Sequence, residues 1–173
     1  MNQQEKKNVI QYLYSIKRTQ LAILNLERAL EELKTRRESP PVWMHNPDAV
    51  SVTGGVEGSK QEAWVEFLEA YPARKSFLED QLSQKVNKVE QFDSIMAAMP
   101  QEGHWGSLAV EIIRHKYIQR ISPDKAIYSM FLFCSEETYY RTHRKALQYF
   151  VDVLPQTIKN DSLVTVNKAK KAV

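Results

Sequence analysis

From about Gln3 to Arg37 the chain holds neither Gly nor Pro, and its apolar positions advance by alternating steps of three and four: Val9, Tyr12, Ile16, Thr19, Ile23, Leu26, Leu30 and Leu33. Such a seam suits a long helix that buries one stripe, with Thr19 as its single polar break. Arg36 and Arg37 favour the negative end of the helix dipole, and Pro40 and Pro41 end the helix. A second seam, Leu78, Leu82, Lys85, Val89, Phe92, Met96 and Met99, repeats the pattern with Lys85 as the exception. Residues 1–100 are therefore expected to form a long helical hairpin or coiled coil, closing within one chain or pairing between subunits.

Between the seams, residues 38–58 carry three prolines, three glycines and no period, which predicts a mobile loop. Trp43 and Met44 in it suit packing or a partner contact, and His45 has no second ligand at metal spacing. Ser59-Lys60-Gln61-Glu62 has the capping-box pattern, so a helix should start there, with Trp64, Phe67, Leu68 and Tyr71 along one side. Pro72 is expected to break or kink it, with another helix following to Met99. Pro100 to Gly106 is the expected domain boundary, across which His104 and Trp105 can pack.

Past that boundary, residues 104–155 read as a second domain. Ser107–Ile118 is amphipathic, apolar at Leu108, Ile112, Ile113, Tyr117 and Ile118. Ser122-Pro123-Asp124 predicts a helix capped by Ser122 and running to Phe131, with Ala126, Ile127 and Met130 inward. Leu132–Cys134 then precede a longer helix that Ser135 caps. Glu136 and Glu137 follow at its positive end. Tyr139, Thr142, Ala146, Tyr149 and Phe150 form its buried stripe, with Arg141, Arg144, Lys145 and His143 largely off it. Helix, short helix, turn and longer basic helix make a helix-turn-helix, whose last helix suits a DNA major groove. The fold class is all-α, and the lysine-rich tail 156–173 is expected to be disordered, with the segment 162–166 (SLVTV) a weak strand candidate.

The stretch Ser135, Thr138, Tyr139, Tyr140, Arg141, then Arg144, Lys145, Ala146, Leu147, with Arg114, Tyr117 and Ile118 upstream, resembles the C-terminal part of the ArpU/RinA-type phage transcriptional regulators. Those are similar to region four of bacterial sigma factors. The resemblance covers about the last third of the chain closely and the first hundred residues only in general layout. It implies double-stranded DNA binding, control of phage late genes, and a low-GC Gram-positive host. Two departures stand out. Phe133 occupies a turn where such motifs usually carry a small residue, often Gly; because Phe tolerates positive φ poorly, a longer turn or another geometry is expected. Tyr128 and Ser129 replace the usual Glu-Ile-Ala run.

These residues have chemistry suited to DNA. Ser135, Glu136, Glu137 and Thr138 lie where helix-turn-helix proteins make base and phosphate contacts. A glutamate accepts from the cytosine amino group, and Arg141 can bond guanine bidentately. Arg144 and Lys145 suit phosphates; Tyr140 offers its hydroxyl to a phosphate or its ring to the turn. The net charge of +3 is unevenly spread. Residues 1–37 carry eight basic and four acidic side chains, 38–106 five and eleven, and 107–173 eleven and six. A basic end can steer a duplex despite a near-neutral total.

Other classes find little support. No apolar run approaches a membrane span, and the first ten residues lack a secretion-signal core. The single cysteine, Cys134, permits no internal disulfide and suits a reducing cytoplasm. Gly54, Gly55 and Gly58 lack the Lys-Ser/Thr of a phosphate loop, the four histidines form no His-x-x-x-His pair, and the paired carboxylates lie beside basic residues. No enzyme activity, cofactor or metal is expected. The hairpin is expected to dimerise the protein or touch host RNA polymerase. The alternative is a helical phage interaction protein, either a small terminase subunit or an adaptor without specific DNA binding.

Overall fold

The computed structural model describes residues 2–40 and 57–154, with the backbone alone for 57–61. Every regular element among the described residues is helical: α1 (Gln3–Glu38), α2 (Glu57–Ala98), a 3-10 turn (Met99–Glu102), α3 (Gly106–Ile113), α4 (Asp124–Ala126) and α5 (Glu136–Val153). Both α3 and α4 run on as π-helical turns, Arg114–Ile118 and Ile127–Phe131. The expectations for Trp43, Met44 and His45, for the cap side chain of Ser59, and for the tail 156–173 fall outside the described residues.

The chain divides into two compact units. Of the described residues the first comprises 2–19 and 88–154, the second 20–40 and 57–87. Pro100–Gly106, expected as a boundary, thus falls inside the first unit, and Met99 beside it is fully buried.

In the first unit Val9, Tyr12, Leu13 and Ile16 of α1 meet Phe92, Ile95 and Met99, and all pack with Ile113 and Tyr117 and with Leu147, Phe150 and Val151 of α5. The seam of α1 therefore becomes core. Its polar break is accommodated because the Thr19 hydroxyl donates to the Ser15 carbonyl one turn back, at 3.0 Å. The Tyr12 hydroxyl likewise donates to the Lys88 carbonyl at 3.2 Å. A smaller cluster, Ile112, Ile127 and Tyr139, joins α3, the turn after α4 and α5.

In the second unit Leu33 packs with Trp64, Phe67 and Tyr71, while Leu68 stays exposed. The Arg36 guanidinium lies 4.4 Å from the Phe67 ring centre and that of Arg37 4.6 Å from Tyr71. The two arginines expected to favour the terminus of α1 thus also cover aromatic rings of α2.

Four local expectations are corrected. Of the break or kink expected at Pro72 the break does not occur: Pro72 lies inside α2, and Tyr71 before it and Leu78 after it both join the second unit's cluster. The N-cap position of α4 belongs to Pro123, not Ser122, so no hydroxyl caps that helix. Met130 is exposed because the wider π-turn rotates it away from the side that buries Ile127. His143, expected largely off the buried stripe, is half-buried between Tyr117 and Tyr139, as described below.

Candidate nucleic-acid interface

The α5 helix is held from one side and open on the other. Tyr139, Thr142, Ala146, Leu147, Phe150 and Val151 are buried, and Tyr149 is half-buried with its ring edge-on to Trp105. Phe92 stacks on Phe150 with ring centres 6.2 Å apart. This anchoring fixes the rotation of α5 about its own axis, and with it the residues facing outward.

At its start the Ser135 hydroxyl accepts from the Thr138 amide at 3.2 Å and donates to the Thr138 hydroxyl at 2.8 Å. Both expected contact residues are therefore engaged as an N-cap. Glu136 accepts from the Tyr128 hydroxyl at 3.3 Å, tying α5 to the preceding turn. Glu137 is exposed and makes no hydrogen bond or ion pair among the described residues. Tyr140 is 44% exposed, its ring edge-on to Tyr139 at 5.1 Å between centres.

Among the described residues, the basic side chains here separate into paired and unpaired groups. Arg114 bonds Glu111 at 2.6 Å, and Lys116 bonds Asp124 at 2.5 Å. Lys145 is exposed, its ammonium 6.0 Å from the Trp105 ring centre. Arg141 and Arg144 are exposed and have no hydrogen-bond or ion-pair partner among the described residues. Lys125 at the start of α4 is exposed and equally unpaired there, a cation outside the expected set.

Beneath this surface lies a polar cluster that links three segments. The Tyr117 hydroxyl and His143 Nε2 stand 2.8 Å apart, and the His143 ring also stacks on Tyr139. Burial, reinforced by the Lys116 charge, pushes the His143 pKa down to about 4. His143 is thus a half-buried, neutral hydrogen-bonding partner at neutral pH, not a cation for DNA. Burial likewise raises the Tyr117 and Tyr139 hydroxyls, keeping both protonated.

The turn into α5 holds the least expected geometry. The Leu132 amide donates to the Ile127 carbonyl at 3.0 Å and the Cys134 amide to the Tyr128 carbonyl at 3.0 Å, with Phe133 between them at φ +48°. The turn after α3 ends the same way. Gln119 bonds Arg114 at 2.9 Å, Ile121 bonds His115 at 3.0 Å, and Arg120 lies between at φ +59°. Each π-turn is therefore closed by one left-handed residue, the role Gly usually takes at a helix C-terminus. Such a conformation costs an L-residue about 1 kcal/mol. At Phe133, where a longer turn or another geometry is expected, the chain uses a π-type turn and takes the positive φ that Phe tolerates poorly, with the side chain 84% exposed.

Among the described residues no helix is long and apolar enough to cross a membrane, and no group of three or more His, Cys, Asp or Glu could hold a metal ion. Compared with protein-family models, with curated proteins and with solved structures, the chain gives no match.

Proposed function

We propose that this chain is a sequence-specific double-stranded DNA-binding regulator of the ArpU/RinA type, acting on phage late transcription. In this reading α4 with its π-turn, the turn through Phe133, and α5 form the helix-turn-helix, and α5 enters the major groove. The observation that carries it is the outward face of α5. Arg141 and Arg144 are exposed and unpaired among the described residues, while the opposite face of the same helix is locked into the core. Cations without an intramolecular partner, on a helix of fixed rotation, are suited to guanine edges and phosphates. Because Ser135 and Thr138 cap the helix, they act mainly by holding its first turn, leaving Glu137, Tyr140 and Arg141 for bases and Arg144 with Lys145 for phosphates. The long helices α1 and α2 serve self-association or contact with host RNA polymerase.

The test is selection of bound duplexes from a random pool at two salt concentrations, with an Arg141/Arg144/Lys145 triple-alanine control. One motif enriched by the wild type and lost in the control is the expected result. Weak binding without a motif, vanishing as salt rises, would refute specific readout. A second reading, an oligomerising phage protein such as a small terminase subunit, draws on Leu21, Leu24 and Phe77 of the second unit, each more than half exposed. Light scattering separates the two, since a ring of many copies favours the terminase and a monomer or dimer the regulator.

A further inference from the structure

Two residues other than Gly adopt positive φ among the described residues, and they differ in what their side chains do. Arg120 reaches from its left-handed position to α1, where its guanidinium donates to the Tyr14 carbonyl at 3.2 Å. Its strained backbone is matched by a contact that ties two distant segments together. Phe133 has no such return. Among the described residues its ring is the most exposed of the large apolar side chains, at 84%, and there it joins none of the core clusters and makes no ring contact. Among its neighbours Met130 and Phe131 are exposed as well, at 67% and 47%, though less than Phe133. Phe131 lies against His115, with ring centres 4.9 Å apart, and Cys134 and Leu132 pack on the Ile112–Ile127–Tyr139 cluster.

For folding alone, Gly would serve better at position 133, since it adopts positive φ freely and exposes no ring. An aromatic kept in a strained conformation and in water, with nothing returned to the core, is the pattern of a residue held for an external contact. Its position says which contact. Phe133 lies two residues before the Ser135 cap, at the leading end of α5, beside the exposed Ser135, Glu136 and Glu137. That end of a groove-bound helix meets base edges, and the one apolar group on the major-groove edge is the thymine C5-methyl.

We propose that Phe133 is a specificity-determining residue that reads a thymine methyl in the major groove. This rests on the DNA-binding reading above. The experiment uses the full chain and the duplex it selects, with each thymine replaced in turn by deoxyuridine, which removes only the methyl. The wild type is expected to lose about fourfold in affinity at one position, the factor for one buried carbon. Phe133→Gly keeps the backbone path and is expected to bind the thymine and uracil duplexes equally. It is also expected to melt no lower than the wild type, so that a binding change is not loss of fold. A selected motif without thymine, or no wild-type sensitivity to uracil, overturns the inference while leaving DNA binding intact. Sensitivity that persists in Phe133→Gly overturns it too. If Phe133→Gly instead changes the oligomeric state with discrimination unaltered, the ring makes a protein contact and the inference fails. Absence of any enriched duplex removes the DNA reading itself, and this inference with it.

Discussion

Replacing Gly106 by Ala sets two physical effects against each other with opposite signs. Gly106 is the first residue of α3, and by helix propensity alone Ala should stabilise the chain by up to about 1 kcal/mol. The packing says otherwise. A Cβ at this position would stand 2.0 Å from the Met99 carbonyl oxygen, 2.8 Å from its carbon and 2.9 Å from the Pro100 Cα. All three obstacles are backbone, so no rotamer change relieves them. Moving from 2.0 Å to an ordinary 3.4 Å contact requires α3 and the 3-10 turn to part by roughly 1.4 Å. Neither can do so freely. Met99 and Ala109 are both fully buried in the core, and the Gly106 amide is bonded to the Gly103 carbonyl at 2.9 Å. Overpacking of a filled core costs about 1–3 kcal/mol, and a backbone obstacle belongs at the upper end, about 3 kcal/mol. For a chain of this size that lowers Tm by roughly 6–12 °C. Urea and thermal denaturation followed by circular dichroism measure it, with the exposed neighbour Ser107→Ala as a control expected to stay within about 0.5 kcal/mol. An unchanged or raised Tm for Gly106→Ala would refute the close-approach reasoning and leave propensity as the ruling effect.

Three further outcomes are expected. The His143 pKa lies at about 4 when folded and near 6.5 unfolded, so the unfolded chain binds more protons between those values. His143 should therefore make stability rise from about pH 4 to pH 6.5 and level off above it, by about 2–3 kcal/mol. Denaturation curves across that range, compared with His143→Phe, check this, and an equal slope in both proteins would sink it. Lys116→Met leaves Asp124 without its partner near the Tyr139 ring; a loss of about 2 kcal/mol is expected, together with a higher His143 pKa by NMR titration, since the Lys116 charge helps depress it. Ser135→Ala removes the α5 cap and should cost about 1 kcal/mol, whereas Ser135→Asp, which can still accept from Thr138, should retain most of it; equal losses would mean the cap contributes little.

Much of the helical framework was legible because its signals are local. The three-four spacing of Val9, Tyr12, Ile16 and Thr19 appears as one buried stripe, and the apolar side of α5 matches Tyr139, Thr142, Ala146 and Phe150. The Ser135 cap needs only its own first turn, so a serine before two glutamates sufficed to find it. Burial followed periodicity in these places because a helix presents the same side every three or four residues, whatever it packs against.

What only the tertiary structure decided are the features in which distant segments overrule local preference. Pro72 reads as a break or a kink, yet α2 continues past it, with Tyr71 and Leu78 on either side held in one cluster. Gly punctuates neither of the two left-handed turns; Arg120 is drawn there by a carbonyl 106 residues away, and Phe133 follows a π-turn that no periodicity announces. His143 sits among basic residues in the sequence and would pass for one more cation. A tyrosine 26 residues upstream and partial burial make it instead a half-buried, neutral group. The one-dimensional pattern determines which side of each helix is apolar, because side-chain direction is set by backbone period alone. It does not determine strain, close approach or protonation, because each of these depends on the energy of neighbours that the chain brings together only on folding.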